Sequence, residues 1–535
     1  MVTPRDDEIG PVHQRSGPDT LWTTVNAAEQ IPGVLTPLAF TFWIGCADLG
    51  VRATFCSLGV LPPREVRLGD TPDERICGAF YGRWVANLDQ FRRLADMTPG
   101  VSGATFEKDV FGSDRPDRRA RVRLARLPII ALKAPVTVGR LPGTVHRAGR
   151  DVRTWWREST SPRGQAGDAV EQLLEAVERS RRAAALQMLA ATVGQGMFAR
   201  LGQLCQRAGR SDLYLTLCSG YGESEETRMI GALYDLVHGR STLEQFLDEH
   251  GARCPAEVDL AARSYRENPD AVHALVRKYR LANRQASLAE ESDRRVQRRI
   301  AAERDLLAAL PLLRRPAARL LMRLARTYIP LREEGKAVMV TAVDGARSAA
   351  RARGRELTAS GAIADPPDVF YLTLEEILGD PPPEAAELVA HRRALGQVYQ
   401  GITLPTRWTG MPAPIQAERG APTGPEILEV NGIGAAPGTA EGRARVILDA
   451  DQCDTLEPDE ILVCRTTDPS WASAFHLASA VVIDIGGLSS HGAIVCREFG
   501  LPCVINTEVG TRHIRTGDLV RVNGATGNVI LLERA

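Results

Sequence analysis

The spacing of apolar residues predicts long helices through the middle of the chain. In residues 168–204, apolar side chains recur every three or four positions, which is the period of a helix with one buried face. Comparable patterns occupy residues 281–310 and 317–360. Prolines mark the points at which these helices must begin or end, and they are Pro311, Pro316 and Pro330.

Other apolar runs have the length and the bounding turn residues of strands. Residues 127–138 (LPIIALKAPVTV) favour a strand, so the N-terminal region is predicted to be mixed α/β. Near the C-terminus, short apolar runs alternate with turn residues around one predicted helix at 492–499. The runs in this C-terminal region are 443–448, 461–464, 480–486, 502–506 and 519–532.

A segment rich in proline and glycine separates these two regions. Residues 404–426 show no apolar period, and their composition is typical of a linker. We therefore predict a largely helical domain at 1–403, a linker at 404–426 and an α/β domain at 427–535. The predicted fold class is multidomain, with a mainly α-helical (mixed α/β) N-terminal region followed by a C-terminal α/β domain.

Composition narrows the classes of function. The 535 residues include 66 Lys and Arg and 66 Asp and Glu, so the net charge gives no reason to expect nucleic acid or a membrane as a partner. The ten cysteines form no CxxC pair, and neither a metal site nor a disulfide framework is predicted. The polar N-terminus and the charged residues within 35–61 predict no signal peptide and no membrane span. We therefore expect a cytoplasmic protein.

The segment DIGGLSSHGAIVCREFGLPCV (484–504) places a histidine where a predicted strand turns into a helix. Gly487 permits a tight turn, and Ser489 or Ser490 can cap the helix that begins near His491. The N–H groups of a first helical turn favour an anion, and neutral imidazole is a nucleophile near pH 7. This pattern predicts a phosphoryl carrier at His491, with Ser489, Ser490 and Gly487 supporting the phosphate. The alternative is an ordinary surface histidine at a helix start.

The same segment resembles the phosphohistidine signature of the swivelling domain shared by phosphoenolpyruvate (PEP) synthases, pyruvate phosphate dikinases and rifampin (rifampicin) phosphotransferases. Two further segments resemble this domain in the expected order, NGIGAAPGTAEGRARV (431–446) and TTDPSWASAF (466–475). This chain has Gly492, Cys496 and Cys503 where the family pattern has alanine. The resemblance implies that the C-terminal domain is the PEP-utilising mobile domain and that His491 is its carrier.

Upstream segments resemble the acceptor-binding domain of rifampin phosphotransferases. They are LWTTVNAAEQIPGVLTPLAFTFW (21–43), HGARCPAEVDLAARSYRENP (250–269), YIPLREEGK (328–336) and DPPDVFYLTLEEI (365–377). The resemblance implies that the phosphoryl acceptor is a hydroxyl group of a small molecule. A PEP synthase would need a large barrel after the mobile domain, and residues for it do not follow in this chain.

Arg332 and Lys336 are the candidate partners of the carrier. They lie four residues apart after Pro330, so a helix beginning there presents both cations on one face. The resemblance implies that they face the phosphohistidine and hold the transferring phosphoryl group. The alternative is a solvated surface on which they pair with Glu333 and Glu334.

Four further residues are candidates for substrate binding. Arg253 and Glu257 match a loop of the acceptor domain, and the alternative is a buried Arg–Glu pair that holds this loop. Asn26 and Glu29 match a family motif near the N-terminus, and they could equally serve packing and turn formation.

In the rifampin phosphotransferase family an ATP-grasp domain phosphorylates the histidine, and no such segment is recognisable in this chain. We therefore expect a phosphotransferase component that receives its phosphoryl group from a separate ATP-grasp subunit, as in phenylphosphate synthase. ATP and Mg²⁺ are expected on that partner, and no cofactor on this chain alone. Two alternatives stay open: a non-catalytic small-molecule-binding protein with a vestigial carrier, and a PEP synthase-like fragment.

Overall fold

The computed structural model describes most of the chain. The described residues are 10–112, 115–116, 123–164, 167–222, 224–282, 285–416, 429–448, 450–467, 471–487 and 490–535.

The α-helices are α1 (Ala27–Gln30), α2 (Pro37–Ser57), α3 (Leu88–Asp96), α4 (Gly103–Phe111), α5 (Leu127–Ser159), α6 (Ala169–Arg207), α7 (Tyr214–Leu217), α8 (Glu225–Val237), α9 (Leu243–His250), α10 (Pro269–Ala282), α11 (Gln285–Ala309), α12 (Arg315–Tyr328), α13 (Leu331–Ala359), α14 (Leu374–Leu378), α15 (Ala385–Gln400), α16 (Ala472–Leu477), α17 (His491–Phe499) and α18 (Gly510–His513). The strands are β1 (Leu21–Thr23), β2 (Cys77–Phe80), β3 (Arg83–Asn87), β4 (Ile402–Thr403), β5 (Arg407–Thr409), β6 (Ile415–Gln416), β7 (Glu429–Asn431), β8 (Ile433–Ala436), β9 (Thr439–Ile447), β10 (Ile461–Cys464), β11 (Ala480–Ile483), β12 (Cys503–Ile505), β13 (Leu519–Asn523) and β14 (Asn528–Glu533).

The chain folds into two compact units, each assembled from several chain segments. The first unit consists of Met1–Leu189, Val258–Ala261 and Gly335–Glu418. The second unit consists of Ala190–Glu257, Ala262–Glu334 and Arg419–Ala535. Residues 417–426 of the predicted linker lie outside the described residues, so the predicted boundaries at 403 and 427 stay predictions.

The first unit combines long helices with a small antiparallel sheet in the order β2-β3-β1-β5. On β1, Trp22 pairs with Asn87 on one side and with Trp408 on the other, and its side chain is fully buried. The helix α2 begins at Thr36, whose hydroxyl accepts a hydrogen bond from the Ala39 N–H at 3.3 Å. Apolar residues on most sides of α2 are buried, so this helix lies at the centre of the unit's core.

The predicted strand at 127–138 is wrong, because these residues form the first third of α5. Pro128 lies in the first turn of this helix, where a missing N–H costs no intrahelical hydrogen bond. A short apolar run does not by itself distinguish a strand from one side of a helix. The C-terminal half of α5 is held by Trp156, whose indole N–H donates to the buried Asp344 carboxylate at 2.8 Å.

The second unit contains an eight-stranded mixed sheet in the order β7-β14-β13-β9-β10-β11-β12-β8. Its central strands β9, β10, β11 and β12 are parallel. Successive side chains of a strand point to opposite faces, and both faces are covered here. Leu462 and Val481 join the core that includes α8, α10, α16 and α17, whereas Ile461 and Val482 join a second core on the other face.

The sequence predicted the long central helices and the C-terminal strands. The predicted helix at 168–204 corresponds to α6, and the two patterns beyond it correspond to α11, α12 and α13. The strand-like runs of the C-terminal region correspond to β9 to β14, and the helix among them is α17. The fold class is confirmed as a mainly helical, mixed N-terminal region followed by an α/β region.

Candidate functional site

The corner at His491 is built as a strand, a loop and a helix. β11 ends at Ile483, and α17 begins at His491 with Ser490 as its cap, because the Ser490 hydroxyl accepts a hydrogen bond from the Ala493 N–H at 3.5 Å. Gly500, with a φ of 67°, ends the helix in the left-handed conformation that glycine adopts without strain. The predicted cap and helix end are therefore confirmed.

A buried carboxylate anchors the start of the loop. Asp484 is 3% exposed, and it accepts hydrogen bonds from the Thr507 hydroxyl at 2.7 Å and from the Thr511 N–H at 3.2 Å. The backbone leaving β11 is thereby tied to the segment that follows β12. Of the predicted phosphate-supporting residues, Gly487 is exposed with open space where a side chain would lie, and Ser489 lies outside the described residues.

Close packing around position 492 explains why a glycine occupies it. A Cβ atom at this position would lie 2.5 Å from Ile483 Cδ1 and 2.7 Å from Thr467 Oγ1. These distances are too short for van der Waals contact, so the neighbouring side chains must move to admit an alanine. The helix α17 therefore approaches β11 and the loop after β10 closely at its first turn.

The helix α17 forms one wall of an open cleft in the second unit. Ile494 and Glu498 line this cleft, and His491 is the first residue of the same helix. The other walls come mainly from residues 218–228, from α11 and from the start of α13, and the cleft contains about 750 Å³ of empty space. The helix that begins at the predicted carrier thus extends along the cleft.

The cleft brings together charged residues from separate chain segments. Arg332 lines it at the start of α13, with its Nε 3.5 Å from the Glu333 carboxylate and 24% of its side chain exposed. The other charged lining residues are Glu225, Arg228, Arg295, Glu333, Glu334 and Glu498. Guanidinium groups bind phosphate oxygens through paired hydrogen bonds, so Arg332 has the chemistry required of a phosphoryl clamp.

Glu498 is the cleft residue whose ionisation is most perturbed. Burial, reinforced by the carboxylates of Glu226 and Glu333, raises the pKa of Glu498 to about 8. A hydrogen bond from Ser224 and the charge of Arg295 act in the opposite direction without cancelling it. Glu498 therefore holds its proton to a higher pH than an ordinary glutamate does, two turns along α17 from His491.

Arg253 and Glu257 form a buried ion pair in the second unit. Arg253 is 8% exposed, and its Nε contacts a Glu257 carboxylate oxygen while its Nη2 lies 3.8 Å from Glu226. Burial alone would lower the pKa of Arg253, but the carboxylates of Glu257 and Glu226 outweigh it and raise that pKa. This is the geometry expected of the structural alternative, and a role in substrate binding stays a prediction.

Three predicted site residues belong to the first unit. Lys336 is buried on α13, at a position of that helix assigned to this unit, whereas Arg332 is assigned to the second. Asn26 adopts a left-handed φ of 60°, and its side-chain amide donates to the Val110 carbonyl. Asn26 therefore has the turn geometry expected of a structural role, and Glu29 lies on α1.

Sequence reasoning missed several residues of the cleft. Glu498 could have been found, because it follows His491 by seven residues and so shares its helical face. Arg228 and Arg295 carry no such signal, since they reach the cleft only through the packing of α8 and α11. Among the described residues, no group of three or more His, Cys, Asp or Glu side chains is arranged to hold a metal ion. None of the described helices is long and apolar enough to span a bilayer.

Two protein-family models match separate segments of the chain. The family model for the PEP-utilising enzyme mobile domain matches residues 456–527, which include His491. The model for the rifampicin phosphotransferase fourth domain matches residues 161–333, which include Arg253, Glu257 and Arg332.

Individual relatives agree with these matches. A rifampicin phosphotransferase from Streptomyces sp is 35% identical over 308 residues, 55% of this chain and 35% of that protein. The Streptomyces sviceus rifampicin phosphotransferase is 32% identical over the same shares of both chains. An uncharacterized protein of Mycobacterium tuberculosis is 36% identical over 285 residues, 53% of this chain and 30% of that protein. The chain thus spans about a third of the length of these relatives.

The fold and the two matched domains define a protein that contains a PEP-utilising mobile domain. Two segments of the chain are therefore similar to the PEP-utilising enzyme mobile domain and to the fourth domain of rifampicin phosphotransferases.

Proposed function

We propose that this chain is a phosphotransferase component that carries a phosphoryl group on His491 and passes it to a hydroxyl group of a small molecule. The observation that supports this proposal most strongly is the course of α17. This helix begins at His491, and its following turns line the same cleft as Arg332. A phosphoryl carrier and a phosphate-binding guanidinium thereby belong to one compact unit.

The proposed reaction has two displacements at phosphorus. First, the neutral imidazole of His491 attacks a phosphorus atom of ATP, so that an N–P bond forms and a P–O bond of the polyphosphate breaks. Then the acceptor oxygen attacks the same phosphorus, the N–P bond breaks, and the hydroxyl proton passes to a base or to water. The imidazole is regenerated, and the acceptor leaves as a phosphate ester.

Each residue that is predicted to contact the phosphoryl group has a role in the proposed reaction. The N–H groups at the start of α17 and the hydroxyls of Ser489 and Ser490 stabilise the carried phosphate, and Gly487 leaves room for it. Arg332 and Lys336 neutralise charge on the equatorial oxygens as the phosphoryl group leaves the imidazole.

The ATP site belongs to a separate ATP-grasp subunit in this proposal, together with the Mg²⁺ that ATP requires. The acceptor is a small hydroxylated molecule, as the names of the rifampicin phosphotransferase relatives indicate for those proteins. Asn26, Glu29, Arg253 and Glu257 are proposed to position that acceptor directly or through its loops. A cytoplasmic location fits the use of ATP.

Phosphoramidate tests the carrier without a kinase, because this small donor phosphorylates reactive imidazoles directly. We expect the wild-type chain to gain one acid-labile, alkali-stable phosphoryl group, detected by intact-protein mass spectrometry. His491→Ala is expected to gain none. His273→Ala is the matched control, since it removes an exposed histidine of the same unit, and it should label like wild type.

Labelling with β-³²P ATP and lysate of the source organism then tests the separate kinase. Label on wild type that requires lysate and is absent from His491→Ala supports the proposal. Equal phosphoramidate labelling of wild type and His491→Ala contradicts the assignment of the carrier. Label from ATP without any lysate contradicts the requirement for a separate subunit.

A further inference from the structure

The N-terminal half of α5 presents large apolar side chains to solvent. This part of the helix belongs to the first unit and takes no part in the proposed carrier site. The exposed apolar residues at its start and in the preceding turn are Leu124 (74% exposed), Leu127 (38%), Ile129 (37%), Leu132 (74%) and Val136 (47%). Such an uninterrupted series on one surface marks an interaction site more often than scattered single residues do.

Helical spacing places three of these residues in one stripe. Ile129, Leu132 and Val136 are separated by three and four positions, so they lie above one another along α5. Lys133 and Arg140 are exposed on the same broad side of the helix. We call these five residues the α5 face.

One flank of α5 is held by contacts with the end of α2. The Thr137 hydroxyl donates to the Ser57 carbonyl at 2.8 Å, and Arg126 Nε donates to the Gly59 carbonyl at 2.9 Å. A Cβ atom at Gly59 would lie 3.0 Å from Ile130 Cα, so the two backbones are in close contact. The buried Leu141 and Val145 lie on the side of α5 opposite the stripe, so the α5 face points to solvent.

The charged residues in this stretch of the chain have one sign. Between Arg123 and Arg150 the chain has six basic residues and no Asp or Glu. Arg123 pairs with Glu65 at 2.7 Å, whereas Lys133 beside the apolar stripe and Arg140 and Arg147 after it are exposed. An apolar stripe followed by basic residues matches a surface that is apolar inside and anionic at its boundary.

We propose that the α5 face binds the surface of an anionic lipid bilayer. The apolar stripe enters the boundary between headgroups and acyl chains, and the basic residues contact lipid phosphates. A shallow, open hollow lies at this face, lined by Ser57, Leu132, Lys133, Val136 and Thr137. It combines apolar walls with one cation, as the junction of an acyl chain and a phosphate requires.

Bilayer binding fits this surface better than self-association does. In a two-fold contact between copies, the same basic residues would meet one another without acidic partners on this helix. The helix lies on the membrane in this proposal and does not cross it.

Vesicle flotation of the full chain tests the proposal. We expect the chain to float with phosphatidylglycerol vesicles at low salt and to stay in solution with phosphatidylcholine vesicles. Lys133→Glu with Arg140→Glu should lower the partition coefficient at least tenfold, because each basic residue near an anionic surface contributes roughly fivefold. Leu132→Asp with Val136→Asp should also lower it at least tenfold. High salt should release the wild-type chain.

A control variant and a measurement of how deeply α5 enters the bilayer test whether binding occurs through the α5 face. Leu281→Asp changes an equally exposed leucine on α10 and should float like wild type. In Leu132→Trp, we expect the added fluorescence to shift to the blue and to be quenched by brominated lipid. Failure of the wild-type chain to float with phosphatidylglycerol at low salt would overturn the proposal. A dimer in light scattering that Leu132→Asp with Val136→Asp dissociates would overturn it in favour of a second copy.

Discussion

Replacing Glu498 by glutamine removes a carboxyl group whose ionisation opposes the packing of α17 beside the cleft. Burial and the carboxylates of Glu226 and Glu333 raise its pKa from 4.5 to about 8. Between these pH values, the folded chain holds a proton that the unfolded chain has lost. Folding binds a proton here, so the free energy of unfolding decreases as the pH rises from 4.5 to about 8.

The two pKa values set the size of this effect. Raising the pKa from 4.5 to about 8 corresponds to a ceiling of about 5 kcal/mol, at about 1.36 kcal/mol per pH unit. Glu498 is only half-buried and lines an open cleft, so water screens its charge and we expect about 1–2 kcal/mol. Glutamine does not titrate. Glu498→Gln should therefore be more stable than wild type by about 1–2 kcal/mol at about pH 9, and close to wild type at about pH 5.

Hydrogen exchange of α17 peptides in increasing urea measures this stability locally. The experiment compares wild type, Glu498→Gln and Glu498→Asp at the two pH values, after correction for the intrinsic exchange rates. Glu498→Asp keeps a carboxyl group and should keep the loss of stability at high pH. The argument is refuted if the difference between Glu498→Gln and wild type is the same at both pH values.

Two further predictions concern the same corner and cleft. In the phosphoramidate assay, Arg332→Gln should slow labelling of His491 by roughly 10²-fold, because one charged donor to the phosphate is lost. Arg323→Gln on the exposed side of α12 is its control, and equal rates would contradict the clamp. Gly492→Ala should cost about 1–3 kcal/mol in urea unfolding because its Cβ overlaps two side chains. Adding Ile483→Val should recover part of this loss, and wild-type stability of Gly492→Ala would contradict the overlap.

Local sequence patterns predicted the second unit's sheet better than the start of α5. The runs that became β10, β11 and β12 are only three or four residues long and are bounded by turn residues, and parallel strands buried on both faces are apolar throughout. Residues 127–138 are also mostly apolar, but they continue into a helix of 33 residues. The useful signal was Pro128, which suits a first helical turn and could donate no hydrogen bond to a neighbouring strand.

Some features of the candidate site depend on neighbouring residues, and others depend on residues far apart in the chain. The cap at Ser490, the helix start at His491 and the helix end at Gly500 are properties of about twenty consecutive residues, and the sequence predicted them. The cleft depends on contacts between segments far apart in the chain. Arg228 and Arg295 therefore had no sequence signal, although helical spacing from His491 was sufficient to identify Glu498.

The balanced charge of the whole chain shows that composition alone does not predict which partners a protein binds. With 66 basic and 66 acidic residues, the net charge predicted no anionic partner. Yet residues 123–150 contain six basic residues and no acidic one, so the rest of the chain has six more acidic than basic residues. Electrostatic attraction falls off within about 10 Å at ordinary salt, so a docking surface responds to its own segment and not to the total. A net charge of zero therefore excludes no interaction by itself, and the charge of each exposed face has to be considered separately.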